Sequence, residues 1–101
     1  MKSPYAKEVY KKNAYLYRML ANPIRLEILN CIKNRELSVE QLIAILKLRK
    51  ANVSQHLTLL RHLKLVTVRR KGLNAFYSIV DPVVVEPCRL LQKIHSSISY
   101  Q

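Results

Sequence analysis

The sequence predicts a single, mainly α-helical domain that carries one small β-hairpin. Apolar residues recur at helical spacing in several segments, one stretch is rich in β-branched and aromatic residues, and the only glycine, Gly72, lies inside that stretch. The 101 residues suffice for one modest core, so we expect one domain over residues 1–101. Leu, Ile, Val, Ala and Tyr must build that core, because Trp is absent and Phe occurs once.

The first two helices are predicted from apolar spacing and from a capping signal. Between Tyr5 and Leu20 the apolar residues recur at steps of three and four residues or their multiples, which indicates an amphipathic helix. Asn22-Pro23 then combines an N-cap residue with a proline at the first helical position. A second helix should therefore follow and extend to about Lys33.

Two short helices joined by a tight turn come next. Ser38 and Gln41 have the spacing of a capping box, in which each side chain bonds the backbone amide of the other residue. A third helix should begin directly after Ser38, and a fourth is predicted from Ala51 to Leu63. A helix-turn-helix is thus expected over about residues 38–64.

The next segment predicts a β-hairpin. Val66–Val68 and Ala75–Val80 have the composition of two strands, and the basic segment between them contains Gly72, which can adopt the positive φ of a hairpin turn.

A final helix should open at Asp81-Pro82 or, alternatively, near Glu86, and should extend towards Ser99. The order of elements is that of a winged helix-turn-helix with an additional terminal helix, with the wing at about 65–80 and the first and last helices at about 4–20 and 82–99.

Charge is distributed unevenly along the chain. Eighteen Lys and Arg residues against six Asp and Glu residues give a formal charge of +12. No acidic residue lies between Glu40 and Asp81, whereas that stretch holds eight basic ones: Lys47, Arg49, Lys50, Arg61, Lys64, Arg69, Arg70 and Lys71. Such a uniformly positive surface attracts a polyanion; the alternative is a merely solvated basic face.

Several classes of protein are not expected. No apolar run reaches the roughly 18–20 residues of a membrane span, and the N-terminus lacks the apolar core of a secretion signal, so we expect a cytoplasmic protein that binds no membrane. An enzyme is not expected, because the chain has one Asp, one Gly and no phosphate-cradling loop, and Ser54 and His56 would face different sides of a helix.

Several segments, in order and at the right spacing, resemble the ArsR/SmtB family of bacterial and archaeal repressors. They are residues 20–29 (LANPIRLEIL), 36–42 (ELSVEQL), 53–57 (VSQHL) with Leu60, 65–66 (LV), 70–72 (RKG) and 76–77 (FY). The resemblance implies a homodimer joined by the first and last helices, and a fourth helix that enters the major groove of double-stranded DNA. It also implies a wing that reaches the neighbouring backbone or minor groove, and repression that a metal or another inducer relieves in many members.

This resemblance and the chemistry of the side chains give candidate DNA contacts. On the fourth helix Gln55 is the first candidate for base contact, because its amide can pair with adenine, and short polar side chains surround it; the alternative is ordinary solvated helix residues. The base-contacting set is Asn52, Ser54, Gln55 and Thr58. Basic residues before that helix and at the wing tip should contact phosphates: Lys47, Arg49, Lys50, Arg69, Arg70 and Lys71.

The dimer interface implied by the resemblance would use apolar stripes of the first and last helices. Its candidate residues are Tyr5, Val9, Leu16, Leu20, Leu90, Leu91, Ile94 and Ile98. Alternatively, one of the two stripes belongs wholly to the core of the monomer. A two-fold dimer would favour an inverted-repeat operator with half-sites about one helical turn, roughly 34 Å, apart.

The sensor sites of known relatives are not matched. Ser38 and Glu40 stand where arsenic- and cadmium-sensing relatives carry cysteines, and three of the four zinc ligands of other relatives are replaced, so we expect no metal site and name no cofactor or inducer. Cys31 and Cys88 resemble in outline the cysteine pair of redox- and sulfur-sensing relatives. A redox-responsive repressor is therefore an alternative to two small apolar packing residues.

Two further alternatives share the charge or the fold. A basic RNA-binding protein normally presents aromatic residues for stacking, whereas the tyrosines here cluster in the first helix, away from the basic stretch. An interaction module could keep the winged fold without binding DNA. The sequence thus predicts a DNA-binding transcriptional regulator, acting as a homodimeric repressor.

Overall fold

The computed structural model of the chain describes residues 1–97, and within them the predicted order of helices and hairpin is confirmed. The elements are α1 (Lys7–Leu20), α2 (Pro23–Cys31), β1 (Leu37–Ser38), α3 (Val39–Leu46), α4 (Lys50–His62), β2 (Val66–Lys71), β3 (Asn74–Ile79), a 3-10 helix (Pro82–Val85) and α5 (Glu86–Ser97).

Local capping explains where α2 and α3 begin. The Asn22 Oδ1 atom accepts hydrogen bonds from the backbone amides of Ile24 at 2.9 Å and Arg25 at 3.2 Å. The capping box before α3 is also present: the Gln41 amide donates to Ser38 Oγ at 3.1 Å, and the Ser38 amide donates to Gln41 Oε1 at 2.8 Å. Both signals act over three residues, and both predicted starts are confirmed.

Helix α4 ends without the glycine that commonly ends helices of this kind. Lys64 adopts the left-handed conformation at φ +63°. Its amide donates to the carbonyl of Arg61 at 3.0 Å, and the amide of Leu65 donates to the carbonyl of Leu60 at 3.0 Å. These two bonds form a Schellman motif, which satisfies the last carbonyls of the helix.

The sheet has one more strand than the sequence predicts. The two-residue strand β1 pairs antiparallel with β3, with Leu37 opposite Tyr77 and Ser38 opposite Phe76, and the strand order is β1-β3-β2. Two residues are too few to show an alternating pattern, so no local signal predicts this strand.

The hairpin is also longer than predicted, which corrects the position of two basic residues. Strand β2 continues to Lys71 and pairs with Asn74, so only Gly72 and Leu73 form the turn. Gly72 has φ +62°, as the first position of a two-residue hairpin turn requires. Arg69 and Arg70 therefore lie within the strand and not at the tip of the wing.

The last helix begins at Glu86, as the second of the two predicted starts has it, and the start at Asp81-Pro82 is wrong for an α-helix. Asp81 Oδ1 does accept a hydrogen bond from the Val83 amide at 2.9 Å, but the turn it caps is a 3-10 helix. Pro87 explains why the α-helix does not begin at Pro82, because Pro87 lacks the amide hydrogen that would bond within such a helix. The predicted end at Ser99 lies outside the described residues.

The core lies between α2, α3, α4 and the sheet. Its buried residues are Ile28, Leu29, Ile32, Leu37, Leu42, Val53, Leu57, Leu60, Val66 and Val85. Neither α1 nor α5 contributes a fully buried residue. No helix within residues 1–97 is long and apolar enough to cross a membrane.

Candidate nucleic-acid interface

Helix α4 separates an apolar face from a polar one. Val53, Leu57 and Leu60 are completely or almost completely buried against the core. On the opposite side the side chains of Asn52, Gln55 and Thr58 are exposed, and Ser54 is half-buried beside them. The spacing of the apolar residues thus leaves the predicted base-contacting residues on or next to the solvent side of one helix.

These side chains differ in what they can still offer a base. The Thr58 hydroxyl donates to the backbone carbonyl of Ser54 at 2.8 Å, so its hydrogen is already used within the helix. Its methyl group and its oxygen lone pairs remain available. Gln55 keeps both a donor and an acceptor on an exposed amide, and it is therefore better suited than Thr58 to read a base edge.

The N-terminal end of α4 gathers positive charge. Lys47, Arg49 and Lys50 are all exposed there. Arg49 is the N-cap residue but provides no side-chain cap, whereas its carbonyl accepts from the amides of Asn52 and Val53 at 3.1 Å. Uncapped amides and three cations at one helix end favour an anion such as a phosphate.

The wing carries its free cations towards its tip. Arg70 and Lys71 are exposed at the end of β2, and Leu73 in the turn is fully exposed. The strands of this hairpin pair over six residues each. Both cations are thus available for phosphate contact.

Arg69 differs from its neighbours because it already has an anionic partner. Its Nε and Nη2 atoms donate to the Glu36 carboxylate at 2.7–3.3 Å, and its guanidinium lies 5.1 Å from the centre of the Phe76 ring. Ser78 Oγ lies 3.4 Å from the same carboxylate. The hydrogen bond from Arg69 lowers the pKa of Glu36, so the carboxylate stays charged.

This ion pair corrects the charge prediction. The stretch from Glu40 to Asp81 has no acidic residue between its ends, yet its surface is not uniformly positive, because Glu36, which directly precedes β1, pairs with Arg69 on β2. The two residues of the pair are 33 positions apart, so no local pattern reveals the contact.

A second contact missed by the sequence lies at the back of α4. Arg25 Nε donates to His56 Nδ1 at 3.2 Å, and Arg25 Nη1 donates to the backbone carbonyl of Met19 at 2.7 Å. Burial, and next the charge of Arg25, lower the pKa of His56, so the imidazole is neutral near pH 7 and Nδ1 can accept. The expected packing role of this half-buried histidine is thus accompanied by a directional hydrogen bond.

Apolar side chains on α1 and α5 are exposed to solvent in the single chain. Tyr5, which lies just before α1, is 62% exposed. On α5, Leu90, Leu91 and Ile94 are 49%, 54% and 46% exposed. Val9 is exposed, Leu16 and Leu20 are half-buried, and Ile98 lies outside the described residues. Since no residue of either helix is fully buried, neither stripe belongs wholly to the monomer core.

The two cysteines are free and half-buried. Burial raises the pKa of the Cys31 thiol, and the nearby Glu27 carboxylate raises it further. Cys88 and His95 lie among the residues that line an apolar cleft of about 450 Å³ between α1 and α5. Within residues 1–97 no three His, Cys, Asp or Glu side chains come together as a metal site requires.

A core-packed helix-turn-helix, a polar exposed helix face and a basic wing define a DNA-binding regulator of the winged helix-turn-helix class. The family described as "Bacterial regulatory protein, arsR family" matches residues 22–68. A relative that is 42% identical over 81% of this chain and 83% of its own length supports this match, and the chain belongs to this family.

The transcriptional repressor PagR of Bacillus anthracis is 42% identical over 83 residues, which cover 81% of this chain and 83% of PagR. The PagR crystal structure is similar to this one with a TM-score of 0.70 at 38% identity, and the match covers 85% of this chain and 99% of the PagR chain. HlyU from Vibrio cholerae has a TM-score of 0.77 at 32% identity, over 90% of this chain and 99% of HlyU. The fold prediction is confirmed by these likenesses.

Proposed function

We propose that the protein is a homodimeric repressor that binds an inverted-repeat DNA operator through α4 and the wing. The exposed polar face of α4, with Gln55 at its centre and cations at its N-terminal end, is the observation that carries this proposal. Gln55, with Asn52, Ser54 and Thr58, would read bases in the major groove. Lys47, Arg49, Lys50, Arg70 and Lys71 would contact phosphates, which add affinity and fix the register.

Arg69 takes a different part in this proposal. As long as Glu36 holds its guanidinium, it contributes little net charge to a phosphate contact. We therefore place it at the edge of the interface, where it supports the wing and contacts phosphate only if the pair opens.

The apolar surface that a single chain leaves exposed supports the proposed homodimer. Leu90, Leu91 and Ile94 repeat along α5 at three- and four-residue steps, α1 adds Val9, and Tyr5 lies just before α1, which begins later than the predicted residue 4. An amphipathic helix whose apolar face meets only water is normally covered in the functional assembly. A second copy would cover these faces and would place two α4 helices on one side of a duplex.

Repression is proposed from the relatives. PagR, the more similar of the two described above, is named a transcriptional repressor, whereas HlyU, 34% identical over 84 residues, is named a transcriptional activator. Repression and activation can be distinguished with a chromosomal reporter gene placed behind a DNA site that the protein binds. We expect reporter output to fall when the protein is present.

The redox-responsive alternative has no support from the surroundings of Cys31. Reactive cysteines have a lowered pKa, whereas burial and Glu27 raise the pKa of this thiol. We propose that Cys31 and Cys88 are packing residues. Release of DNA by peroxide, together with loss of that release in a Cys31→Ser variant, would contradict this.

Selection of bound duplexes from a random pool tests the proposed function. We expect an imperfect inverted repeat with half-site centres about one helical turn apart. A Gln55→Ala variant should lose about 1–3 kcal/mol of binding free energy per half-site for the selected duplex and almost none for unrelated duplexes. The matched control is Asn30→Ala, which removes an exposed amide that bonds within α2. Equal affinity for selected and unrelated duplexes, or preferential binding of single-stranded RNA, would overturn the proposal.

A further inference from the structure

One guanidinium connects three helices of the fold. Arg25, in the first turn of α2, donates from Nη1 to the carbonyl of Met19 in the last turn of α1 and from Nε to Nδ1 of His56 on α4. The distances are 2.7 Å and 3.2 Å. The side chain is half-buried, as is that of His56. A planar guanidinium fixes the directions of both bonds at once, which a lysine ammonium cannot do.

The base of this connection is itself held in place. The amide of Arg25 donates to Asn22 Oδ1, the side chain that caps α2. The backbone from which the guanidinium extends is thus fixed by a cap, and the guanidinium in turn is fixed by two acceptors on other helices. We call the connected group of Met19, Arg25 and His56 the α1–α4 link.

The two ends of the α1–α4 link have different roles in the proposed assembly. His56 follows Gln55 directly on α4, while Met19 lies in α1, one of the two helices with an exposed apolar face. Helix α1 contributes no fully buried residue, and its Leu20 packs against the core only partly buried. Apolar packing of Val53, Leu57 and Leu60 holds α4 on the core. Because such packing is non-directional, it does not by itself fix the angle between α4 and α1.

We propose that Arg25 is a positioning residue that fixes the orientation of α4 relative to α1, and thereby sets the half-site spacing that the dimer accepts. This inference rests on the proposed function. In a two-fold dimer the distance and angle between the two α4 helices depend on how each is attached to the interface helices. A link between α4 and α1 therefore acts on spacing discrimination and not on base recognition within a half-site.

Spacing is a sensitive readout because DNA is helical. One inserted base pair rotates a half-site by about 35° and moves it by about 3.4 Å relative to the other. A rigid pair of recognition helices discriminates strongly against that change, whereas a loosely attached pair adapts to it. Loss of a merely stabilising contact would lower the melting temperature without changing the preference for one spacing.

The test compares binding of three duplexes by wild-type protein and variants. One duplex carries the selected inverted repeat, a second carries the same half-sites with one base pair added between them, and a third carries a single half-site. The spacing ratio is the affinity for the first duplex divided by that for the second. Arg25→Lys keeps the charge but places all its donors on one nitrogen, so it loses the rigid pair of donor nitrogens, Nε and Nη1, that bonds His56 and Met19. We expect it to lower the spacing ratio at least about fivefold, while affinity for the single half-site changes less than about twofold.

The histidine end of the link supplies matched variants. In His56→Asn the side-chain oxygen can occupy the position of Nδ1, so the spacing ratio should remain close to that of wild type. His56→Leu removes the acceptor and should lower the ratio as Arg25→Lys does. Because both act on one contact, combining Arg25→Lys with His56→Leu should lower the ratio little more than either alone.

Two results have different meanings. The positioning role is wrong if Arg25→Lys and His56→Leu fold and keep the wild-type spacing ratio. It is also wrong if His56→Asn lowers the spacing ratio as much as His56→Leu does. In both cases the proposed function stands. If wild-type protein itself shows no spacing preference, the dimeric mode of binding is wrong and the inference falls with it.

Discussion

Lys64 is, with Lys47, one of the two non-glycine residues within residues 1–97 whose backbone adopts the left-handed conformation, which carries a local conformational cost. It ends α4 in the left-handed region at φ +63°, where a Cβ atom is unfavourable and glycine is not. Its side chain is exposed, so it contributes no packing that would offset the strain.

We expect Lys64→Gly to raise the free energy of unfolding by about 0.5–1 kcal/mol, because relief of strain exceeds the added entropy of an unfolded glycine. For a chain of this size that is roughly 2–8 °C in Tm. Lys64→Ala is the control, since it removes the charge but keeps the Cβ, and its Tm should not rise. An equal gain in both variants would attribute the effect to charge.

His56 gives a second prediction at this scale. Its pKa is lowered on folding, first by burial and next by the charge of Arg25, so the native state favours the neutral imidazole. Its contribution to stability is therefore complete above the ordinary pKa of 6.5 and is lost as the pH falls through that value towards the folded pKa.

Unfolding by denaturant at pH 7.5 and pH 5 measures this contribution. The decrease in stability between the two pH values should be smaller in His56→Asn than in wild type. The lowered carboxyl pKa values of Glu36 and Glu86 act at lower pH and do not interfere. A decrease of equal size in wild type and variant would show that His56 is not the titrating group.

At the scale of elements, the pair between Glu36 and Arg69 connects the wing to the residue that directly precedes β1. Both side chains are substantially exposed, so the pair adds little to stability. The pair should instead affect DNA binding, because the Glu36 carboxylate neutralises Arg69, which lies next to the exposed cations Arg70 and Lys71.

Glu36→Gln should therefore raise affinity for duplex DNA and make the slope of log affinity against log salt steeper by about one per released cation in each subunit. Glu8→Gln is the matched control, because Glu8 is an exposed carboxylate paired with Lys11 on α1, and it makes the same change in net charge. Equal effects of the two substitutions would mean that net charge alone matters and that Arg69 is not released.

The elements also show which part of the fold the sequence predicts. The starts of α2 and α3 depend on side chains within three residues of the backbone they cap, and the sequence identifies both. Strand β1, the pair between Glu36 and Arg69, and the hydrogen bond from Arg25 to His56 each join residues more than 30 positions apart, so no local pattern contains them. The helical period predicts the polar face of α4, whereas no such period predicts the contact of α4 with α2 and α1 through Arg25.

For the whole molecule, the proposed dimer depends on the exposed apolar faces of α1 and α5. Ile94→Glu places a charge on the face of α5 that we assign to the dimer, where its burial would be costly. We expect sedimentation to show a monomer, with its helical content retained because Ile94 packs against no buried core residue of its own chain.

Leu73→Glu is the control for that substitution, since Leu73 is fully exposed in the turn of the wing. It should leave the dimer unchanged. A variant with Glu at position 94 that still sediments as a dimer would remove α5 from the interface.

The most direct test of the central claim is the number of chains bound to the selected operator, measured by sedimentation of protein with labelled duplex. We expect two chains on the intact inverted repeat, and a fall in affinity of at least about a hundredfold when one half-site is scrambled, because specific contacts are worth about 1–3 kcal/mol each. A single chain that binds the intact and the half-scrambled duplex with the same affinity would contradict the account.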